Sequence, residues 1–306
     1  MTATPIAAGI DLGGTKIEAQ VFAPDWSLAA RQRWPTPKAY SALVAAMVTA
    51  IRWCESHGAN LPIGISAAGL VHPQTGLALT SNLSATGRPF PTDIVAAANR
   101  PVAWINDCRA LTLSEATLGA ARDADPAVGL ILGTGVAGGV VTAGRLLPSP
   151  AATGGEFGHF PLAAGPVVTH DLPLLTCGCG RLGCVETYLS APGLARIAAR
   201  LTGTQHSPET VVAGRATTPG FGKAWEIWLD LATDFLVTLC LTIDPQVIVI
   251  GGGLSRAPGL TDDLTRRLTR AALGGFPIPA IRLAQGGDAS GARGAALHAL
   301  NEAKHA

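Results

Sequence analysis

IAAGIDLGGTKIEAQVF, residues 6–22, decides the fold of this 306-residue chain. Ile6 to Ile10 reads as a buried strand running into Asp11-Leu12-Gly13-Gly14-Thr15-Lys16. The next six residues alternate, with Glu18 and Gln20 facing away from Ile17, Ala19 and Val21, as they do in a strand. The glycine turn therefore joins two strands. A Walker A loop needs G-x4-G-K-[ST] leading into a helix, so that reading is excluded. A glycine hairpin can still cradle phosphate, because its N–H groups are unobstructed and Thr15 adds a hydroxyl donor. Asp11 beside it can hold a magnesium ion through water. The plainer alternative is a hairpin turn without a ligand.

The pattern returns at residues 128–142, VGLILGTGVAGGVVT. Strand, Gly133-Thr134-Gly135 turn and second strand repeat the first lobe, which implies an internal duplication. Gly133 to Gly138 also spells G-x-G-x-x-G. A dinucleotide fold would need a helix next, and Gly-Gly-Val-Val-Thr-Ala-Gly is a poor helix.

Between the two hairpins, residues 41–55 predict a helix with Leu43, Met47, Ala50, Ile51 and Cys54 on one face. Strands follow at 61–65 and 101–105, with a loop from Ser66 reaching Asn82. The second strand ends at Asn106-Asp107, and a helix runs from Cys108 through Leu118. An Asn-Asp pair at such a junction is an N-cap pattern, and a cap position holds a carboxylate rigidly at a cleft edge. Further on, 185–201 predicts a helix, 205–220 a polar connector, and 223–243 the clearest helix of the chain. The last carries an apolar stripe with Trp225 and Trp228, suited to core or interface packing. A buried strand at 246–250 runs into Gly251-Gly252-Gly253, where a flat ring or a phosphate can approach the backbone. A small helix over about 290–303 ends the chain.

GGEFGHFPLAAGPVVTHDLPLLTCGCGRLGCVE, residues 154–186, holds Cys177, Cys179, Cys184, His159 and His170 between Glu156 and Glu186. Cysteines gathered this closely in a chain without secretory features commonly bind a metal, and one imidazole completes a tetrahedral zinc site. A closed Cys3His site is structural, so its task is to pin the loop that presents the two glutamates. The plainer alternative is three reduced cysteines in a glycine-rich turn.

Composition limits the function. Hydrophobic residues make up 48% and charged residues 14%, and the formal net charge is +1. No basic run offers a nucleic-acid surface. The N-terminus has no signal-peptide pattern, and the apolar run from Val128 to Val141 is broken by glycines and too short to span a membrane. Six cysteines, three in one cluster, suit a reducing compartment, so a cytoplasmic protein is expected. We expect two lobes: 1–119, to which a C-terminal helix at 289–306 returns, and 120–288 with the cysteine loop.

Two glycine hairpins, a glycine-rich strand end and a carboxylate beside an amide suit phosphoryl transfer. That reaction needs positioning, magnesium and one residue to take the acceptor hydroxyl's proton. Asp107 is the candidate base and Asn106 a holder of a neighbouring hydroxyl. Glu156, His159 and Glu186 are candidate ligands of the acceptor's other hydroxyls.

The motifs D-L-G-G-T-K, N-D, G-T-G, G-E-F-G-H, C-x-C-G-x-x-G-C-x-E and I-G-G-G resemble the ROK family of sugar kinases and sugar-responsive repressors. The resemblance spans Gly9 to about Leu300 and implies an actin-like, ribonuclease H-like α/β ATPase fold of two lobes with substrate bound between them. It implies Asp107 as catalytic base, with Asn106, Asp107, Glu156, His159 and Glu186 as sugar ligands. By the same resemblance, ATP is met by Asp11, Gly13, Gly14, Thr15, Lys16, Gly133, Thr134, Gly135, Gly252 and Gly253. Zn2+ would be held by His159, Cys177, Cys179 and Cys184, although the long interval before Cys177 leaves His170 as an alternative ligand. ATP and Mg2+ are the further cofactors, and a homodimer is expected.

The interval, the N-L-S-A-T-G-R-P-F run at Asn82 and G-G-G-L-S at Gly251 look most like the family's N-acetylglucosamine kinases. The expected reaction is thus phosphorylation of the 6-hydroxyl of N-acetylglucosamine, with Asn82 a further substrate contact. Glucose, mannose, fructose and N-acetylmannosamine are alternatives, as is a non-catalytic sugar sensor or binding protein. Ser66-Ala67-Ala68-Gly69 departs from the family's usual proline before the glycine, in a loop that lies near the sugar in relatives. Ten residues precede Asp11, too few for a repressor's DNA-binding module, so a repressor is not expected.

Overall fold

The computed structural model describes residues 4–58, 60–287 and 290–304. Residues 1–3 of the expected N-terminal pattern and 289, 305 and 306 of the expected returning helix lie outside them. In chain order the first elements are β1 (Ala7–Leu12), β2 (Lys16–Phe22), β3 (Leu28–Pro35), α1 (Tyr40–Glu55), β4 (Ile63–Ala67), β5 (Leu70–Val71) and β6 (Ala78–Leu79). Next come α2 (Phe90–Ala98), β7 (Ala103–Asn106), α3 (Asp107–Leu118), β8 (Ala127–Leu132), β9 (Val136–Thr142) and β10 (Arg145–Leu146). They are followed by α4 (Ala164–Thr169), α5 (Glu186–Leu189), α6 (Ala191–Thr202), α7 (Pro208–Gly214) and α8 (Pro219–Ile243). β11 (Val247–Gly251), α9 (Leu260–Ala271), β12 (Ala280–Leu283) and α10 (Ser290–Ala303) complete the chain.

The chain divides into two units, Met1–Gly119 with Arg145–Gly154 and Gly286–Ala306, and Ala120–Gly144 with Gly155–Gln285. Among the described residues, no helix is long and apolar enough to cross a membrane.

In the first unit the sheet order is β3-β2-β1-β4-β7. β1 and β2 form the antiparallel hairpin read from the sequence, with Leu12 opposite Ile17 across the glycine turn. β4 pairs parallel to β1, and β7 parallel to β4. The stripe Leu43, Met47, Ala50, Ile51 and Cys54 of α1 covers one face, packing with Ile10, Leu12, Ile17, Ala19, Val21 and Ile65. The opposite face carries α10, which lies directly on the strands. A Cβ on Gly9 would fall 1.7 Å from the Ala292 carbonyl oxygen, and one on Gly64 2.0 Å from that of Ala295. This explains a departure from the simple amphipathic strand. Glu18 and Gln20 do face away from Ile17, yet both are buried. Glu18 accepts from Gln20 (Nε2 to Oε1, 2.6 Å) and pairs with Arg33 on β3.

In the second unit the strands follow β9-β8-β11-β12, with β8 and β9 an antiparallel hairpin and β8, β11 and β12 parallel. The arrangement repeats the first unit's hairpin flanked by parallel strands. α8 supplies the core: Trp228 is fully buried, stacks on Trp225 at 5.0 Å between centroids, and donates from Nε1 to the Leu189 carbonyl at 3.1 Å. Both tryptophans are therefore core residues, and the suggestion that they face an interface is withdrawn.

Two further expectations change. The helix read over 185–201 is interrupted at Ser190, whose extended backbone and side chain cap α6 by accepting from Gly193 N–H at 3.2 Å. Pro192 in the first turn has no N–H to extend α5 through the break. The polar connector at 205–220 contains α7 and the first turn of α8. Ser207 caps α7 by accepting from Thr210 N–H, with Pro208 at the first helical position, a start signal hidden in a short polar segment.

Because the α10 backbone lies directly on Gly9, Gly9→Ala should lower the unfolding free energy by about 1–3 kcal/mol through overpacking. Urea unfolding would show a lower midpoint at unchanged slope. An unchanged midpoint would mean that α10 can lift away without cost.

Candidate active site and metal centre

In the first unit the sheet brings Asp11 to the end of β1 and Asp107 to the first turn of α3, next to the end of β7. The cap of α3 is Asn106: its Oδ1 accepts from Cys108 N–H (2.9 Å) and Arg109 N–H (3.2 Å). Its amide nitrogen donates to the Gly69 carbonyl at 3.1 Å, so this one side chain ties the 66–69 loop to the helix start. Asp107 is the first helical residue, and its Oδ1 accepts from Cys108 N–H at 2.9 Å. Asp11 accepts from the Ser66 hydroxyl at 3.2 Å. Ser66 lies directly across the parallel β1/β4 ladder from Asp11, and the sequence reading did not assign it a role.

The Asp107 charge acts on Asp11. Loss of solvation and the nearby Asp107 charge raise Asp11 to about 6, while Ser66 and Lys16 act in the other direction. Burial also raises Asp107, against the Cys108 hydrogen bonds that favour its ionised form. Both carboxylates are thus raised by burial, a pattern associated with functional sites.

The first glycine turn is closed by Gly13 N–H donating to the Lys16 carbonyl at 2.9 Å. The Gly13 carbonyl accepts from the Thr36 hydroxyl (2.7 Å) and the Gly14 carbonyl from Lys38 Nζ (3.1 Å). In a trans peptide the N–H points opposite to the carbonyl, so the Gly14 and Thr15 N–H groups are directed away from Thr36 and Lys38. Thr15 is exposed, and Lys16 pairs with Glu18 at 3.5 Å. Asn82 is exposed and lies against the turn, where a Cβ on Gly14 would come within 3.0 Å of its own Cβ.

In the second unit the turn Gly133-Thr134-Gly135 lies beside Gly252 and Gly253. A Cβ on Gly133 would sit 3.8 Å from the Gly253 nitrogen and 3.9 Å from the Gly252 Cα. Gly252 has φ +85°, and a side chain there would meet the Leu132 carbonyl at 2.5 Å, so the residue has to be glycine. The Gly133 carbonyl accepts from Ala191 N–H at 2.7 Å, which directs the Thr134 N–H away from α6. Glu186 fastens the turn: its Oε2 accepts from Val136 N–H at 2.9 Å, and its Oε1 lies 3.9 Å from the Cys177 sulfur.

The cysteine loop gathers one ligand atom each from His159, Cys177, Cys179 and Cys184, all within 4.8 Å of one another. His159 Nδ1 is 3.6 Å from Cys177 Sγ, and Cys179 Sγ is 3.6 Å from Cys184 Sγ. Ligands about 2.0–2.3 Å from a tetrahedral zinc stand about 3.5–3.8 Å apart, so these separations fit. The other ring nitrogen, Nε2, faces Glu156 Oε2 at 3.7 Å. His170, the alternative ligand, is absent from this cluster; its Nε2 is 2.8 Å from Asp230 Oδ2 on α8.

Asp11 also makes stability depend on pH. Its folded value of about 6 lies above the ordinary 3.8, so the folded state holds this proton more tightly and the stabilisation is lost as pH rises from about 4 through 6. In metal-free buffer, Asp11→Asn should remove that loss and raise stability at pH 8 relative to wild type by up to about 3 kcal/mol. At pH 4 the two should be nearly equal. Equal denaturation midpoints at pH 8 would show that Asp11 is not raised.

Comparison with known proteins agrees with this geometry. The ROK family matches residues 7–302. The N-acetylgalactosamine kinase AgaK of Shewanella sp. strain ANA-3 is 37% identical over 295 residues, spanning 94% of this chain and 95% of that protein. The N-acetyl-D-glucosamine kinase of Escherichia coli O6:H1 is 35% identical over 306 residues, spanning 96% and 99%. The crystal structure of a ROK hexokinase from Thermus thermophilus superposes with a TM-score of 0.87 at 31% identity, covering 98% of this chain and 99% of that one. The expected actin-like α/β ATPase fold is the fold this chain has. With a family match over almost all of its length and relatives aligned nearly end to end, the chain belongs to the ROK family.

Proposed function

We propose that this chain is an ATP-dependent kinase that transfers the γ-phosphoryl group to the 6-hydroxyl of N-acetylglucosamine. The observation that carries this reading is identity of 35–37% over nearly the whole chain to kinases of N-acetylated hexosamines. The AgaK relative favours a second acceptor, the 4-epimer N-acetylgalactosamine. Unsubstituted hexoses and a non-catalytic sensor are less favoured.

In the first unit, Asp107 accepts the proton of the acceptor hydroxyl. A carboxylate is a weak base at neutral pH, and its raised pKa brings it closer to the operating range. Asn106 keeps that carboxylate in register by capping α3, and the second N–H of its amide serves an acceptor hydroxyl. The turn amides of Gly14 and Thr15 and the Lys16 side chain bind donor phosphate, with Asn82 beside them on the acceptor. Asp11 would hold Mg2+ through water, and that ion when bound neutralises charge on the donor phosphates.

In the second unit, the backbone of the Gly133–Gly135 turn and of the adjacent Gly252-Gly253 binds the nucleotide. Glu156, His159 and Glu186 bind sugar hydroxyls. Sites of that kind reject analogues that leave a buried polar group unpaired. The cysteine cluster would hold Zn2+, which supplies a structural cross-link. His159 would meet it through Nδ1 and keep Nε2 for the sugar side, its orientation fixed by both neighbours. Burial pushes the Cys184 thiol up to about 12, so its thiolate calls for a cation beside it. Reduced thiolates and ATP both suit a cytoplasmic protein, and a homodimer belongs to this reading.

The deciding assay is magnesium-ATP turnover across N-acetylglucosamine, N-acetylgalactosamine, N-acetylmannosamine, glucose, mannose and fructose, read as ADP release. Highest kcat/KM for N-acetylglucosamine is expected; preference for an unsubstituted hexose would overturn the acceptor. Since Asn106 caps α3, Asp107→Ala should retain the fold and bind sugar while kcat falls on the order of a thousandfold or more. Cys179→Ser should lose zinc, measured as bound metal per chain, and open residues 177–186 to protease with weaker sugar binding. Full metal content and unchanged affinity would contradict the zinc assignment.

A further inference from the structure

Glu115 is a buried carboxylate that the mechanism above does not use. It lies two turns into α3, downstream of Asp107, and is fully buried. Its Oε1 accepts from Gly286 N–H (2.8 Å), the Ser290 hydroxyl (3.1 Å) and Arg293 Nη2 (3.4 Å). Arg293 in turn donates from Nε to the Ser114 hydroxyl at 2.6 Å. One carboxylate thus gathers the segment entering α10, its first helical residue and the next turn. The packing leaves the group little room: a Cβ on Gly119 would lie 2.1 Å from Oε2, and one on Gly286 2.9 Å from Oε1.

The end of α10 held in this way is the end that touches the reaction site. Gly291, one residue after Ser290, lies against Asp11, where a Cβ would come 2.5 Å from Oδ1. Gly294 lies against the Ala110 carbonyl of α3 at 1.9 Å by the same measure. α10 is therefore wedged between the strand that carries Asp11 and the helix that begins with Asp107, and Glu115 ties its first turn to that helix.

We propose that Glu115 is a positioning residue for phosphoryl transfer: through Ser290, Gly286 and Arg293 it sets the first turn of α10 against Asp11, and so fixes Asp11 relative to Asp107. The inference rests on the kinase reading for its catalytic consequence, while the positioning itself can be read without turnover. A carboxylate in this setting has a charged hydrogen-bond role that is costly to leave half made. Displacement of a reacting group by about 1 Å lowers rates on the order of a hundredfold, so loosening the wedge acts on kcat before it acts on binding.

The experiment compares Ser290→Ala and Glu115→Gln with wild type in the full chain, by turnover and by amide hydrogen exchange. Glu115→Gln keeps the shape and an acceptor oxygen but loses the charge facing Arg293. Ser290→Ala removes a single donor and tests the idea if the glutamine variant fails to fold. We expect kcat to fall on the order of tenfold or more in Glu115→Gln and by less in Ser290→Ala, with both KM values near wild type. Ser290→Thr, which returns the hydroxyl, should restore kcat. Exchange should quicken in residues 9–16 and at the start of α3. Unchanged exchange there in both variants, or activity that falls only with the folded fraction, overturns the proposal. If wild type turns over none of the sugars, the kinase reading fails, and exchange still decides whether Glu115 positions Asp11.

Discussion

The contact on which the first unit depends is backbone against backbone: at Gly9 and Gly64 α10 rests on the sheet with no side chain in between. Protein interiors pack to crystal-like density, so a helix placed this closely cannot slide without a clash. That rigidity has a chemical consequence. Asp11 sits on the same face of β1 as Gly9, so the helix that covers the glycine also strips solvent from the carboxylate. The same packing that stabilises the sheet thereby tunes an acidic group, and Asp107 adds its charge from the start of α3.

The second unit solves its positioning problem differently. The segment between β10 and α5 is long and has little regular structure, and loops of that length are not rigid by themselves. The loop folds back so that His159, Cys177, Cys179 and Cys184 meet, and Glu186 ties it to the sheet by accepting from Val136 N–H at the end of the glycine turn. His159 joins the two sets of contacts, with Nδ1 toward the sulfur atoms and Nε2 toward Glu156. A single imidazole thus links a metal-type ligand cluster to a carboxylate, and the ring cannot turn without breaking one side.

Much of this was legible in the sequence because it is written in short periods. The strand–glycine–strand pattern of residues 6–22 and 128–142 became β1/β2 and β8/β9, and the 3.6-residue stripe of α1 buried the five residues expected. The family resemblance also put His159 among the cysteines, where the spacing alone left His170 as an alternative. Other elements were less legible for physical reasons. β3 is largely exposed, so its residues carry no apolar alternation, and α9 is strongly charged on one side with only Leu260, Leu264 and Leu268 inward. Short α7 has a start signal and a single buried anchor, Val211. Ser66 and Glu115 escaped because their partners are distant: Asp11 is 55 residues from Ser66, and Ser290 is 175 from Glu115. No local pattern encodes such pairs.

Asn106 shows why a motif residue can have more than one role. Its carbonyl oxygen caps α3 and its amide nitrogen reaches Gly69, so both ends of the side chain already serve the fold. The amide has two N–H donors and the oxygen two lone pairs, so the bond to Gly69 uses one N–H and the cap uses both lone pairs. The turn that follows β4 is therefore held to the start of α3 by the hydrogen bond to Gly69. Ser66, near the end of β4, binds Asp11. A substitution in residues 66–69 thus reaches the cap of α3 through Asn106 and the glycine turn through Asp11, both by a single hydrogen bond. The placements of Asp11 and of the start of α3 are coupled in this stretch, because Ser66 holds one and Gly69 meets the cap of the other.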